Sequence, residues 1–240
     1  MYFFQRFFKF NLQNADKWLY SLTNIKYEKR VDIMIVYDKP FLNENDTLIC
    51  WGDSLTSDRN SYVGFLAQKL APMNINVINA GRKGDKTPLA LMRLESVLFK
   101  QKFDALSIFL GVNDAIIGRG RWADEPFIAP QTFFDNMVWM ISHIRTFLGD
   151  KKISVIVPYS PFEAQAHEEF GNCLMPYAQK ARDAAALMKC RIVPLDVRYE
   201  EYRNSLGTRS QRILTYDDVH PTAESGKFTA DVILQSWGMI

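Results

Sequence analysis

Thr47-Leu48-Ile49-Cys50-Trp51-Gly52-Asp53-Ser54-Leu55-Thr56 is an apolar run that stops abruptly at a glycine and a polar pair. A short continuous apolar run bounded by turn residues reads as a strand buried on both faces, the condition of a parallel sheet covered by helices. Gly52 permits a tight turn at the strand end, and Ser54 follows it. Near the other end of the chain stands Asp217-Asp218-Val219-His220-Pro221. A serine hydroxyl is almost wholly protonated at neutral pH. It becomes a nucleophile when an imidazole accepts its proton and a carboxylate holds the other ring nitrogen. Ser54, His220 and Asp217 supply those three groups.

Outward from residue 47, β-branched runs alternate with longer stretches of helical period, the pattern of parallel strands joined by crossover helices. The spacing predicts strands over 47–51, 75–80, 105–110, 153–158 and 191–195. Helices are predicted over 61–71, 88–100, 131–148, 176–189 and 222–237, with Pro88 at a helix start and Gly149 after a helix end. The reading is an α/β domain over residues 47–240. In such sheets ligands collect beyond the carboxyl ends of the strands, where Gly52-Asp53-Ser54, Gly81 and Gly111-Val112-Asn113-Asp114 are expected to converge.

Residues 1–46 read as an N-terminal extension packed on that core. Phe3, Phe4, Phe7, Phe8, Trp18 and Leu19 recur at roughly helical spacing, and residues 31–37 have the character of an added edge strand. Residues 1–30 hold six cations against Asp16 and Glu28, a net +4, and the aromatic and basic mixture is read first as packing on its own domain or a second subunit, with insertion at a membrane surface as the alternative. The whole chain is nearly neutral, with 29 basic and 27 acidic residues among 240, which argues against a nucleic-acid partner. Its three cysteines form no spaced framework. No export signal and no spanning segment is read, so the expected location is the cytoplasm.

Gly52-Asp53-Ser54-Leu55, Asn79-Ala80-Gly81, Gly111-Val112-Asn113-Asp114 and Asp217-Asp218-Val219-His220 together resemble, in order and spacing, the four sequence blocks of the SGNH (GDSL) hydrolase superfamily. The resemblance implies a three-layer flavodoxin-like sandwich around a central five-stranded parallel sheet. It implies a serine esterase with Ser54 as nucleophile, His220 as base and Asp217 as orienting acid. It further implies an oxyanion hole made by the backbone N–H groups of Ser54 and Gly81 and the side-chain amide of Asn113. No cofactor or metal is needed for that chemistry. Asp217 rather than Asp218 takes the acid role by family spacing, which leaves Asp218 to the turn.

The neighbouring motifs point elsewhere less well. Asp85 separates Gly84 from Lys86, so the glycine-rich stretch after Gly81 lacks a phosphate-loop triplet. His167-Glu168-Glu169 lacks the second histidine of a zinc helix, and no Gly-x-Ser-x-Gly elbow occurs. Substrate walls are expected from residues 116–130 and 159–175, with Arg119, Trp122 and Tyr159 as candidate contacts. The first expectation is a small-molecule ester with a short acyl group, such as an O-acetyl group on carbohydrate. The alternatives are a lysophospholipase or thioesterase acting on lipid, and a carbohydrate-binding module without turnover.

Overall fold

In the computed structural model the described residues are Tyr37, 39–207 and 210–240. The helices and edge strand expected before Tyr37 lie outside them. Five strands form one parallel sheet: β1 (Thr47–Gly52), β2 (Asn76–Gly81), β3 (Ala105–Phe109), β4 (Lys152–Ile156) and β5 (Arg191–Val193). Their spatial order is β2-β1-β3-β4-β5. Cys50 lies beside Asn79 on one side and Ser107 on the other, so β1 is central, and five of its six residues are buried.

Right-handed crossovers place helices on both faces of such a sheet. The helices are α1 (Ser54–Ser57), α2 (Tyr62–Leu70), α3 (Thr87–Met92), α4 (Leu94–Val97), α5 (Val112–Ile116), α6 (Pro130–Leu148), α7 (Ala164–Phe170), α8 (Met175–Leu187), α9 (Leu195–Ser205) and α10 (Ala223–Ser236). Helix α2 packs on α10, whereas α6 packs on α8 and α3. Local chemistry sets their ends. Ser61 caps α2 by accepting from Val63 N, Thr222 caps α10 by accepting from Ser225 N, Pro130 opens α6, and Gly149 closes it with φ +78°.

The segment just before β1 belongs to this core. Phe41 and Leu42 are buried, Phe41 stacks on Trp237 with centroids 4.8 Å apart, and Phe41 N–H donates to the Trp237 carbonyl at 2.9 Å. Trp237 in turn donates its indole N–H to Ser154 of β4. Among the described residues no helix is long and apolar enough to cross a membrane.

Candidate active site

The strand order reverses direction between β1 and β3, and at such a switch point the two connecting segments leave on opposite faces and open a crevice at the carboxyl ends. Ser54 emerges from β1 on one side of this point and Asn113 follows β3 on the other. Asp53 Oδ1 accepts from Leu55 N at 2.8 Å and caps the short helix that Ser54 begins. The turn is packed too tightly for side chains at its glycines. A Cβ at Gly52 would stand 2.1 Å from Thr56 Oγ1, and one at Gly81 would stand 2.5 Å from Ser57 N. Asn79 locks the same contact by donating to the Thr56 carbonyl at 2.9 Å.

His220 sits in a small closed loop. Thr215 and Pro221 form an antiparallel bridge, Tyr216 N–H donates to the His220 carbonyl, and Thr222 N–H donates to the Leu214 carbonyl. Inside the loop His220 Nδ1 lies 2.7 Å from Asp217 Oδ2, and Asp217 Oδ1 accepts from His220 N at 2.7 Å and Val219 N at 3.2 Å. Burial opposes ionisation of Asp217, but these amides and the imidazole outweigh it and hold the carboxyl below its ordinary range. Asp218 has φ +75° and makes the bend, with its carboxylate taken by Arg212. The loop is fastened to the turn of Ser54. Tyr216 Oη donates to Asp58 Oδ2 at 2.7 Å, and Asp58 N–H caps the Ser54 carbonyl at 2.9 Å.

The remaining expected donors are already engaged. Gly81 N–H donates to Asn79 Oδ1 at 2.9 Å, and the Asn113 amide donates to the Asp85 carbonyl at 3.1 Å and to Asp53 Oδ2 at 3.4 Å. Three carboxylates lie beneath this rim. Burial, helped by Asp114 and Asp85, pushes Asp53 up to about 7, and burial pushes Asp114 up to about 6 although Thr87 donates to it through both N–H and Oγ1. Asp85 is raised by burial against the opposing pull of Arg93.

Arg93 carried no signal in the sequence beyond standing three residues after Ala90 and four before Val97. Its Nε donates to Asp85 Oδ2 at 2.5 Å, Nη1 to the Ala80 carbonyl at 2.9 Å and Nη2 to the Gly52 carbonyl at 3.0 Å, while its guanidinium lies 3.5 Å from the Trp51 ring centroid. One side chain thus ties the ends of β1 and β2 to the loop that holds Asn113. Glu163, also unmarked in the sequence, holds the His220 loop from below.

The two segments expected to wall the site are joined to each other. Arg121 Nε donates to Glu169 Oε2 at 2.7 Å, and Trp122 stacks on Phe170 with centroids 5.4 Å apart and planes 9° apart. Arg119 donates to the Ala115 carbonyl and lies over Phe127. Tyr159 is placed differently from a wall residue. It is 3% exposed, lies against Phe109 and Tyr199, and its hydroxyl is held well above its ordinary pKa by burial.

A family model matches residues 50–225, and the chain belongs to that family, described as GDSL-like Lipase/Acylhydrolase. It is therefore an ester hydrolase of the SGNH type. Among solved structures, LAE5, an alpha/beta hydrolase enzyme from the metagenome of Lake Arreo, is 18% identical with a TM-score of 0.71 over 84% of this chain and 99% of its own. The acetyl xylan esterase AlAXEase is 22% identical with a TM-score of 0.68, covering 79% and 98%. Axe2, an acetylxylan esterase from Geobacillus stearothermophilus, is 19% identical with a TM-score of 0.71, covering 82% and 95%. Identities at this level speak for the fold alone. No curated protein matches the chain.

Proposed function

We propose that the protein hydrolyses a carboxylic ester by two-step acyl transfer through Ser54, His220 and Asp217. The observation that carries this reading is the His220–Asp217 pair, held at 2.7 Å in a loop tied through Tyr216 and Asp58 to the helix that Ser54 begins. Ser54 Oγ attacks the ester carbonyl carbon as His220 Nε2 takes the hydroxyl proton. The bond to the leaving alcohol then breaks, that proton passes to the departing oxygen, and an acyl-Ser54 remains. Water attacks the acyl carbon, gives a proton to His220, and the acid leaves as the proton returns to Ser54. Asp217 keeps the ring orientation and stabilises the imidazolium.

The oxygen that gains charge is met by the N–H groups of Ser54 and Gly81 and by the Asn113 amide. An oxyanion accepts about twice as strongly as a neutral oxygen, so it draws the latter two donors from Asn79 and from the Asp85 carbonyl. The proposed substrate is a short-acyl ester, such as an O-acetyl group on carbohydrate. Trp122, half-buried and stacked on the buried Phe170, is an aromatic residue of the proposed wall, and two of the similar structures are described as acetylxylan esterases. An ester panel from two to twelve acyl carbons, run with wild type and Ser54→Ala beside fluorophosphonate labelling, tests both levels. Equal rates for the two proteins overturn the role of Ser54, and a preference for ten or more carbons transfers the reading to lipid.

A further inference from the structure

We infer that Glu163 is a positioning residue for the reaction: its buried carboxylate, backed by Arg203, fixes the loop that delivers Asp217 and His220. This rests on the reading of His220 as the base. Glu163 and Arg203 are 0% and 1% exposed and meet at 2.8 Å through Oε1 and Nη1. The carboxylate also gathers the chain entering the loop. Oε2 accepts from Ile213 N at 3.0 Å, Leu214 N at 3.0 Å, Thr215 N at 2.8 Å and Thr215 Oγ1 at 2.6 Å, and Oε1 accepts from Leu214 N at 3.1 Å. Glu163 N–H closes the arrangement by donating to the Asp218 carbonyl at 3.0 Å.

Three consecutive amides aimed at one point form a concavity that selects an anion. A surface carboxylate could fill it, but this one comes from a segment 50 residues earlier in the chain, so it fixes the loop relative to the sheet and not merely to itself. The loop has few other anchors. Its bridge and the Thr222 N–H bond to the Leu214 carbonyl are internal to residues 214–222, and Tyr216 reaches Asp58 on the far side. Without the carboxylate, three amides, those of Leu214 and Thr215 buried, lose their acceptor and the loop must shift to find water. Asp217 and His220 move with it, since they begin two residues beyond Thr215. Arg203 holds Glu163 in place through the contact at 2.8 Å. Its Nε and Nη2 have no hydrogen-bond partner among the described residues, so the carboxylate is the one anion that holds that guanidinium there.

Gln presents one acceptor where Glu presents two, and in either orientation its amide nitrogen meets donors, Arg203 on one side or the amides of residues 213–215 on the other. The test compares wild type, Glu163→Gln and Ser54→Ala on p-nitrophenyl acetate, with far-UV circular dichroism to show folding. Hydrogen exchange is read on the peptide spanning residues 211–222. Glu163→Gln is expected to lower kcat at least tenfold with KM within threefold, to slow fluorophosphonate labelling of Ser54 in proportion, and to lose protection in that peptide. A folded Glu163→Gln with kcat and labelling within twofold of wild type overturns the inference. If Ser54→Ala is also fully active, the reading of Ser54 and His220 as nucleophile and base itself fails; if Ser54→Ala is inactive, only the role of Glu163 falls. Should Glu163→Gln not fold, Thr215→Val removes a single donor to the carboxylate, and kcat must fall at least threefold for the inference to stand.

Discussion

Replacing Arg93 with Met removes the tie between the two strand ends and leaves most of the packing on Trp51. In the folded chain the Arg93 and Asp85 side chains are 9% and 1% exposed, and the pair meets at 2.5 Å. Breaking a buried ion pair by deleting one partner costs about 3–5 kcal/mol, because the other charge stays behind without compensation. The carbonyls of Ala80 and Gly52 also lose donors, at about 1 kcal/mol each, and the retained apolar stem returns part of this. A net loss of about 4 kcal/mol is expected. With a urea slope of about 2 kcal/mol per molar, the unfolding midpoint falls by about 2 M. The loss also depends on pH. Without Arg93 burial still raises the Asp85 carboxyl and only the exposed Arg82, 3.9 Å away, opposes it, so it takes a proton more readily as pH falls, and the cost at pH 5 is smaller than at pH 8. Urea titration at both pH values reads both effects. A midpoint shift below 0.5 M at pH 8, which is about 1 kcal/mol, refutes the assignment of Arg93 as the tie at this rim.

Two further outcomes concern packing and protons. Gly226→Ala places a Cβ 1.9 Å from the Asn60 carbonyl oxygen, whereas Gly64→Ala meets nothing within 4 Å; calorimetry should show the first melting about 5–10 °C lower and the second unchanged or slightly higher. Asp53 and Asp114, raised to about 7 and about 6 from 3.8, hold protons in the folded chain that the unfolded chain has already released between roughly pH 4 and 7. Unfolding free energy therefore falls as pH rises through that window, by up to about 1.4 kcal/mol per unit for each group, and a melting temperature that climbs from pH 5 to pH 8 contradicts it.

All five strands stand within a few residues of where the sequence placed them; for β1, β3 and β4 this is because a parallel strand buried on both faces writes its burial directly into sequence, whereas the edge strand β2 buries one residue of six. Helix α9 left no such mark. Its sequence, Leu-Asp-Val-Arg-Tyr-Glu-Glu-Tyr-Arg-Asn-Ser, is mostly polar, and its buried face consists of Leu195, Tyr199 and Arg203. An arginine enters that face only because Glu163 awaits it 40 residues away. The helix expected over 88–100 is interrupted at Arg93, whose φ of −103° and ψ of 3° leave the helical path between α3 and α4. Charged residues in helical segments read as solvated, and their true partners are visible only once distant chain segments meet.

The seam of Arg121 with Glu169 and Trp122 with Phe170 has a bearing on redesign. Gly120 presses against the Glu169 side chain, so close that a Cβ there would stand 2.4 Å from its carboxylate. Segments on either side of the seam have complementary shapes. Loop grafting that imports one of them from a homologue inherits half a joint, while transplanting both as a unit changes the surface presented to a ligand without disturbing the sheet below.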